Sequence, residues 1–237
     1  MHARRIYLKK IFLSNQIPLD TEQTHYIRRV LRLSSGDHVR VFNPQSGEWL
    51  ATVDTTDSKA TRLLPKKCLR PPATSTPAIH LFFGLLKKPA LELLVQKATE
   101  VGVTHLYPCI TQHTIAKAIN IQRLSKIIIE ATEQSERLDP PTLSQVLPLN
   151  KALKTELGFE TQKIFLTLEG SSQLKDQMTQ WSPTQPVAFF IGPEGGWSDL
   201  EEKQLQQIVQ PLTLTTTTLR AETASILAIG LWKSFQN

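Results

Sequence analysis

Three stretches of the chain bring together residue types able to do chemistry. The first is Phe189-Phe190-Ile191-Gly192-Pro193-Glu194-Gly195-Gly196-Trp197-Ser198, an apolar run that enters a turn with three glycines and then a capped helix. Glycines in such a turn let backbone N–H and C=O groups approach a ligand with no Cβ in the way. Ligands of open α/β sheets bind beyond the carboxyl ends of the strands, which is where this turn belongs. The residues alone equally allow a sharp strand-to-helix turn that holds nothing. The second stretch is Thr218-Leu219-Arg220-Ala221-Glu222-Thr223-Ala224, an Arg and a Glu at the entry to an otherwise apolar helix. A plain helix cap with an Arg220–Glu222 pair is its simpler explanation. The third, Glu130 to Arg137, ends a helix before Pro140-Pro141 and by itself reads as a solvated helix end. No G-x-G-x-x-G or G-x-x-x-x-G-K-[ST] pattern occurs, so neither a dinucleotide nor a nucleoside triphosphate fingerprint is present.

Elements must hold these stretches in place. Pro65, Pro71, Pro72 and Pro77, with Thr and Ser between them, mark a linker near residues 70–77. Before it the pattern is mostly β, over Arg5 to Leu8, His38 to Asn43, Glu48 to Thr55 and Ala60 to Leu69, with a turn at Ser46-Gly47. One helix interrupts them, capped near Asp20/Thr21, with Tyr26, Val30 and Leu33 on one side. Beyond the linker, strands and helices alternate. Ala78 to Leu85 is a near-continuous apolar run, as a strand buried on both faces requires. Pro89 to Val101 is an amphipathic helix with Leu91, Leu94, Ala98 and Val101 inward, and Thr104 to Cys109 is a strand. A long helix follows over Ile121 to Arg137, then strands over Lys163 to Leu168 and Val187 to Ile191. Ser198 and Glu201 have the spacing of a capping box for a helix to Val209. A short strand, Pro211 to Leu214, and a final helix, Ala221 to Phe235, close the chain. The fold class is α/β with a mostly parallel sheet, joined to a small N-terminal β-barrel, with the boundary between residues 1–72 and 73–237.

Charge separates the same two parts. The chain has 237 residues with 27 Lys+Arg against 21 Asp+Glu, and residues 1–72 hold 13 of the former and 6 of the latter. All the excess positive charge therefore lies in the first third. It is densest at Arg28, Arg29 and Arg32, with Arg4 and Arg5 upstream, which is the footprint of a polyanionic partner. Cys68 and Cys109 stand alone and far apart, so neither a disulfide scaffold nor a cysteine zinc site is expected. No apolar run approaches the ~18 residues that a membrane span needs, and no apolar region follows the basic N-terminus as in a signal peptide. The expectation is a cytoplasmic protein with no metal and no membrane partner.

Taken together, five segments resemble the RsmE-type 16S rRNA uridine-N3 methyltransferases of the SPOUT superfamily. They are His25 to Arg32 with Gly36-Asp37, Gln96 to Val103, Glu130 to Arg137, Gly192 to Gly196 and Leu219 to Ala224. The resemblance implies a PUA-like barrel, a C-terminal SPOUT domain closed by a trefoil knot, and a homodimer with its active sites near the subunit interface. It implies S-adenosyl-L-methionine as methyl donor, and 16S rRNA or the assembled small ribosomal subunit as substrate. The donor would be held by Leu166, Thr167 and Leu168, by Ile191, Gly192, Pro193, Gly195 and Gly196, and by Leu214, Leu219, Ala221, Thr223 and Ala224. Catalysis would fall to Arg220 with Glu194 or Glu222, and RNA binding to Arg4, Arg5, Arg28, Arg29, Arg32, Gln134 and Arg137. Where the family carries a glycine before the Leu-Arg-Ala-Glu-Thr-Ala motif, this chain has Thr213-Leu214-Thr215-Thr216-Thr217-Thr218. Another SPOUT enzyme acting on tRNA or on a ribose 2′-oxygen is the nearest alternative. A non-catalytic RNA-binding protein of ribosome assembly is the other.

Overall fold

The computed structural model describes residues 3–10, 12, 15–57, 60–72, 74, 76–115, 118–154, 157 and 160–236. The chain divides into two compact units, Met1–Ser75 with Thr132–Asp139, and Thr76–Ala131 with Pro140–Asn237.

The first unit is built on a five-stranded sheet of order β1-β3-β4-β5-β2. Its elements are β1 (Arg4–Tyr7), β2 (Ile17–Pro18), α1 (Thr21–His25), β3 (His38–Asn43), β4 (Gly47–Asp54) and β5 (Arg62–Arg70). β3 and β4 form a hairpin, and β1 lies parallel to β3. Alternating residues of β3 and β4, Val39, Val41, Ala51 and Val53, meet Ile6, Leu63 and Ile27 in one core, as the two-residue period of a strand dictates. α1 opens on a capping box, with the Gln23 amide donating to Asp20 Oδ1 at 2.8 Å and the Asp20 amide donating to Gln23 Oε1 at 3.1 Å. The side of this helix that carries Tyr26 and Val30 is not the buried one. Over Tyr26–Val30 it widens to a π turn, Ile27 enters the core, and Tyr26 and Val30 remain on the surface. A wider turn carries more than 3.6 residues, so side chains drawn on one face by α-helical spacing rotate off it.

The second unit holds a wholly parallel sheet of order β12-β10-β11-β6-β7-β8, with β9 also paired to β7. It runs through β6 (Ile79–Gly84), α2 (Lys88–Val101), β7 (His105–Ile110), α3 (Ile121–Gln134), β8 (Thr142–Leu143), β9 (Leu147–Pro148), α4 (Leu149–Ala152), β10 (Gln162–Leu166), α5 (Leu174–Met178), β11 (Val187–Ile191), α6 (Asp199–Gln206), β12 (Gln210–Leu212) and α7 (Ala221–Gln236). β6 and β11, at the centre, are buried along their whole length, which explains their unbroken apolar sequence. One sheet face packs on Leu91, Leu94, Val95 and Ala98 of α2, Leu124, Ile127 and Ile128 of α3, and Ala228, Ile229 and Trp232 of α7. On the other face Phe190, Phe82 and Tyr107 stack across three neighbouring strands, with ring centroids 4.5 and 4.2 Å apart. The short elements β2, β8, β9, α4 and α5 have no counterpart in the sequence reading. Among the described residues no helix is long and apolar enough to cross a membrane, and no group of three or more His, Cys, Asp or Glu could hold a metal ion.

Residues 132–139 fold with the first unit through an ion network centred on Glu48. Its carboxylate is fully buried. It accepts from Arg5 Nε at 3.0 Å and from Arg70 Nε at 2.7 Å, and Arg40 Nε lies 2.6 Å away. Arg5 also donates to the carbonyls of Thr132, Glu133 and Arg137 at 3.1, 2.8 and 2.9 Å. The first two are carbonyls of the last turn of α3, which lack partners within the helix. Arg70 donates to the Glu136 carbonyl at 2.8 Å, and Arg40 to Glu136 Oε1 at 2.7 Å. The stretch that reads as a solvated helix end is thus tied down, and the helix stops at Gln134 rather than at Arg137. Burial pushes the Glu48 carboxyl up, but hydrogen bonds and charges from Arg5 and Arg70 outweigh it and hold the group below its usual range. Removing the charge leaves three guanidinium groups facing one another, so Glu48→Gln should lower unfolding stability by about 3 kcal/mol in urea denaturation. The folded carboxyl titrates below the unfolded one, so its contribution is complete above the unfolded value of about 4.3 and is lost as pH falls through the folded value. The wild type should therefore lose stability more steeply with acid than Glu48→Gln, measured by urea midpoints between neutral pH and pH 3.

Candidate active site

Strand order decides which loops of the second unit can meet. β12 borders β10, and β10 borders β11. All three are parallel, so their carboxyl-end loops open on the same edge of the sheet. Those loops and the start of α7 enclose a cavity of about 720 Å³.

The β11 loop forms its floor. A turn over Pro193–Gly196 is closed by the Gly196 amide donating to the Pro193 carbonyl at 2.9 Å. Ser198 then caps α6, accepting from the Glu201 amide, while Glu201 Oε2 accepts from the Ser198 amide at 3.0 Å. The turn can rest on β6 only because residue 84 is glycine. A Cβ there would stand 2.6 Å from the Pro193 nitrogen and 2.5 Å from its Cδ. The Trp197 indole meets Phe165 edge-on, at 6.1 Å between ring centroids. Its Nε1 is buried with no hydrogen-bond partner among the described residues. A Cβ on Gly192 would lie 3.1 Å from that nitrogen. Two backbone bonds join the other loops: Thr167 donates to the Leu212 carbonyl at 3.1 Å, and Thr213 to that of Ser172 at 2.9 Å. Arg220 stands at the start of α7, its carbonyl accepting from the Ala224 amide at 2.9 Å.

The cavity brings together most of the residues singled out for a ligand. Leu166, Thr167 and Leu168 line it after β10, and Ile191, Gly192, Pro193, Glu194 and Gly196 after β11. Leu214, Leu219, Arg220, Ala221 and Ala224 complete that set. Gly195, Thr223 and Glu222 are not among the lining residues. The Gly195 carbonyl is 2.9 Å from His113 Nδ1, Thr223 is exposed, and Glu222 is buried with Oε2 unpartnered among the described residues. The sequence reading missed Glu169, Trp197, Asp199 and Glu202, together with Thr215, Thr217 and Thr218 of the threonine run. The threonine run was the available signal, since it replaces the expected glycine-bearing segment. Asp199 and Glu202 carry no signal beyond that of an ordinary acidic first turn. With Glu169 and Glu194 they give the wall, among the described residues, four carboxylates against the single cation Arg220. Glu194 Oε1 accepts from the Lys87 amide at 3.3 Å.

The residues expected to bind RNA divide into two groups. Arg4, Arg29, Arg32 and Gln134 are exposed. Arg5 is instead a structural residue of the Glu48 network, its side chain only 5% exposed. Arg28 donates to Thr61 Oγ1 at 2.8 Å and to the carbonyls of Asp57 and Ala60 at 2.5 and 2.7 Å. Arg137 pairs with Asp139 at 3.3 Å. A guanidinium already shared among fixed protein acceptors has little left for a phosphate, so Arg5 and Arg28 serve the fold.

Family models of two kinds of domain match this chain. A family model of the RNA methyltransferase domain matches residues 74–233, and one of the RNA methyltransferase PUA domain matches residues 19–60. The chain is 32% identical to ribosomal RNA small subunit methyltransferase E of Rickettsia conorii, over 97% of this chain and 95% of that protein. It is 29% identical to the protein of the same name from Synechocystis, over 97% of this chain and 77% of that protein. A methyltransferase of Legionella pneumophila solved with bound S-adenosylmethionine superimposes with a TM-score of 0.84 at 29% identity, covering 99% of this chain and 98% of that one. The Neisseria gonorrhoeae ribosomal RNA small subunit methyltransferase E, also bound to S-adenosylmethionine, gives 0.82 at 25% identity, covering 96% and 95%.

The contact between β6 and the Pro193 turn is open to direct test. Gly84→Ala should displace the turn and destabilise the fold by about 1–3 kcal/mol, the usual cost of overpacking. A thermal unfolding midpoint equal to that of the wild type would show that the turn moves freely.

Proposed function

The chain belongs to the ribosomal RNA small subunit methyltransferase E family, and on that premise we propose that it transfers a methyl group from S-adenosylmethionine to N3 of a uridine in the decoding region of 16S rRNA. The observation that carries this reading is the single cavity lined by both Gly192–Gly196 and Leu219–Ala221, at the carboxyl ends of three adjacent parallel strands.

The cavity suits the donor. Its volume falls within the ~300–1,000 Å³ of small-molecule sites, and Leu166, Ile191, Leu214 and Leu219 supply apolar walls for a purine ring. Gly192 leaves open the space beside the Trp197 indole that a Cβ would crowd. Four carboxylates in the wall favour a ligand carrying sulfonium and ammonium charges, and among the described residues no lysine lines the cavity as a triphosphate would require. S-adenosylmethionine, when bound, supplies an electrophilic methyl group on its sulfonium.

The chain's own residues would do the rest. N3 of uridine carries an imide proton that has to leave before or during attack. Arg220, the sole cation of the wall among the described residues, is suited to stabilise charge that develops on the flanking carbonyl oxygens. Glu194 is the better placed of the two candidate proton acceptors, because it lines the cavity and Glu222 does not. The target base must leave its stack to reach such a site, which favours an accessible uridine. In the first unit Arg4, Arg29 and Arg32, with Gln134, are exposed and available to the RNA. The reading includes cytoplasmic action, a knotted C-terminal domain and a homodimer. Leu227 on α7, 37% exposed, is an apolar side chain open to a second copy.

Methyl mapping on small-subunit rRNA from a strain lacking the protein tests the activity: one uridine N3 methyl should be missing, and a loss confined to a ribose 2′-oxygen or to tRNA would refute the target. Arg220→Ala should lower turnover by about a hundredfold while changing donor affinity, read by calorimetry, less than threefold. Equal losses of both would make Arg220 a donor-binding residue.

A further inference from the structure

The turn after β11 is held by a loop whose strand does not pair with β11. β7 lies two places away in the sheet, with β6 between them. Because β6 ends at Gly84, Pro193 settles on its end, and the turn continues toward the loop after β7. That loop is tied to itself. The Thr111 amide donates to Thr114 Oγ1 at 2.9 Å and the Thr114 amide to the Thr111 carbonyl at 3.2 Å, while the two hydroxyls lie 2.7 Å apart. The two residues between these threonines each bond to the β11 side. The Gln112 amide donates to Glu201 Oε1 at 2.8 Å, engaging the second oxygen of the carboxylate whose Oε2 closes the capping box of α6. His113 Nδ1 lies 2.9 Å from the Gly195 carbonyl.

A carbonyl can only accept, so Nδ1 carries the hydrogen in this contact. The approach is close: a Cβ on Gly195 would stand 3.0 Å from the Cβ of His113. Glu194 and Gly196, on either side of Gly195, line the cavity, and Gly195 does not. The carbonyl that His113 holds belongs to the peptide joining Gly195 to Gly196, and Gly196 sits at a φ of 70°. Two successive glycines have wide backbone freedom, which is lost when a ligand fixes the turn. A bond from outside the cavity to the peptide between them removes part of that cost in advance. Among the described residues, neither β7 nor its loop lines the cavity.

We infer that His113 is a positioning residue for the donor: its Nδ1–H holds the Gly195–Gly196 peptide so that the cavity wall is ordered before S-adenosylmethionine arrives. The inference rests on the donor reading of the cavity and adds to it a residue outside the wall. A turn that is competent only part of the time lowers the apparent affinity by that fraction, and saturating donor restores it. Loss of His113 therefore shows in donor affinity and not in turnover at saturation.

Calorimetric titration of the full chain with S-adenosylmethionine tests this, together with methylation of small ribosomal subunits at saturating donor. His113→Ala and His113→Phe should each weaken donor binding about fivefold, as expected for losing one hydrogen bond. Their kcat at saturating donor should stay within about twofold of the wild type. His113→Asn should bind donor as the wild type does, because its amide nitrogen is attached to Cγ just as Nδ1 is in the imidazole. His113→Phe matching the wild type would overturn the inference, and so would His113→Asn failing as fully as His113→Ala. A kcat loss as large as the affinity loss would overturn it too, since His113 would then act in the reaction itself. All three outcomes leave donor binding by the wild type, and the donor reading, standing. A wild type that takes up no donor sinks that reading and the inference with it.

Discussion

A single buried carboxylate organises the first unit. Glu48 on β4 draws in Arg5 from β1, Arg40 from β3 and Arg70 from β5, so four strands of one sheet converge on one negative charge. Ion pairs out of water are stabilising only when the remaining donors also find partners. Here they find carbonyls at the end of α3 and beyond it, at Thr132, Glu133, Glu136 and Arg137. The Arg5 guanidinium also lies 4.0 Å from the Phe42 ring centroid, a cation over an aromatic face. The arginines that give this unit its basic composition are in part consumed by its own architecture. Others stay outside, Arg4, Arg29 and Arg32 among them, where a polyanion can meet them.

In the second unit the governing constraint is adjacency in the sheet. Loops from β10, β11 and β12 share one cavity because those strands are neighbours, although long stretches of chain separate them. The floor depends on packing at glycine: β6 ends in a residue without a side chain, and the Pro193 turn occupies the vacated space. Trp197 links the turn to the sheet through Phe165. The shape of the wall at Glu194 therefore depends on the Gly84 contact beneath the Pro193 turn.

Much of this was legible in the sequence where the signal is local. β11 coincides with the apolar run Val187–Ile191, and the Ser198/Glu201 capping box is present as its spacing implies. The pairing of the glycine turn with the Leu219–Ala224 stretch followed from family resemblance, since nothing in either segment's period points to the other. What stayed hidden is set by tertiary contact. Arg5 reads as one more basic residue until Glu48 is known to lie beneath it. The π turn at Tyr26 cannot be seen in a pattern that fits an α-helix equally well. The short strands Ile17–Pro18, Thr142–Leu143 and Leu147–Pro148 are too brief to show any alternation. The carboxylates Asp199 and Glu202 look like helix-start residues, and only the fold turns them toward the cavity.

Because residues 132–139 complete the first unit, that unit is discontinuous along the chain. Vectorial synthesis cannot finish it when residue 75 leaves the ribosome. Arg5 and Arg70 wait without their carbonyl acceptors, and Arg40 without the Glu136 carboxylate, until residues 132–139 have been made, by which point β6, β7 and α3 have emerged between the two halves. Nascent folding from the amino terminus, the usual course for modular proteins, is here replaced by a maturation in which the leading module closes only after the catalytic one has begun.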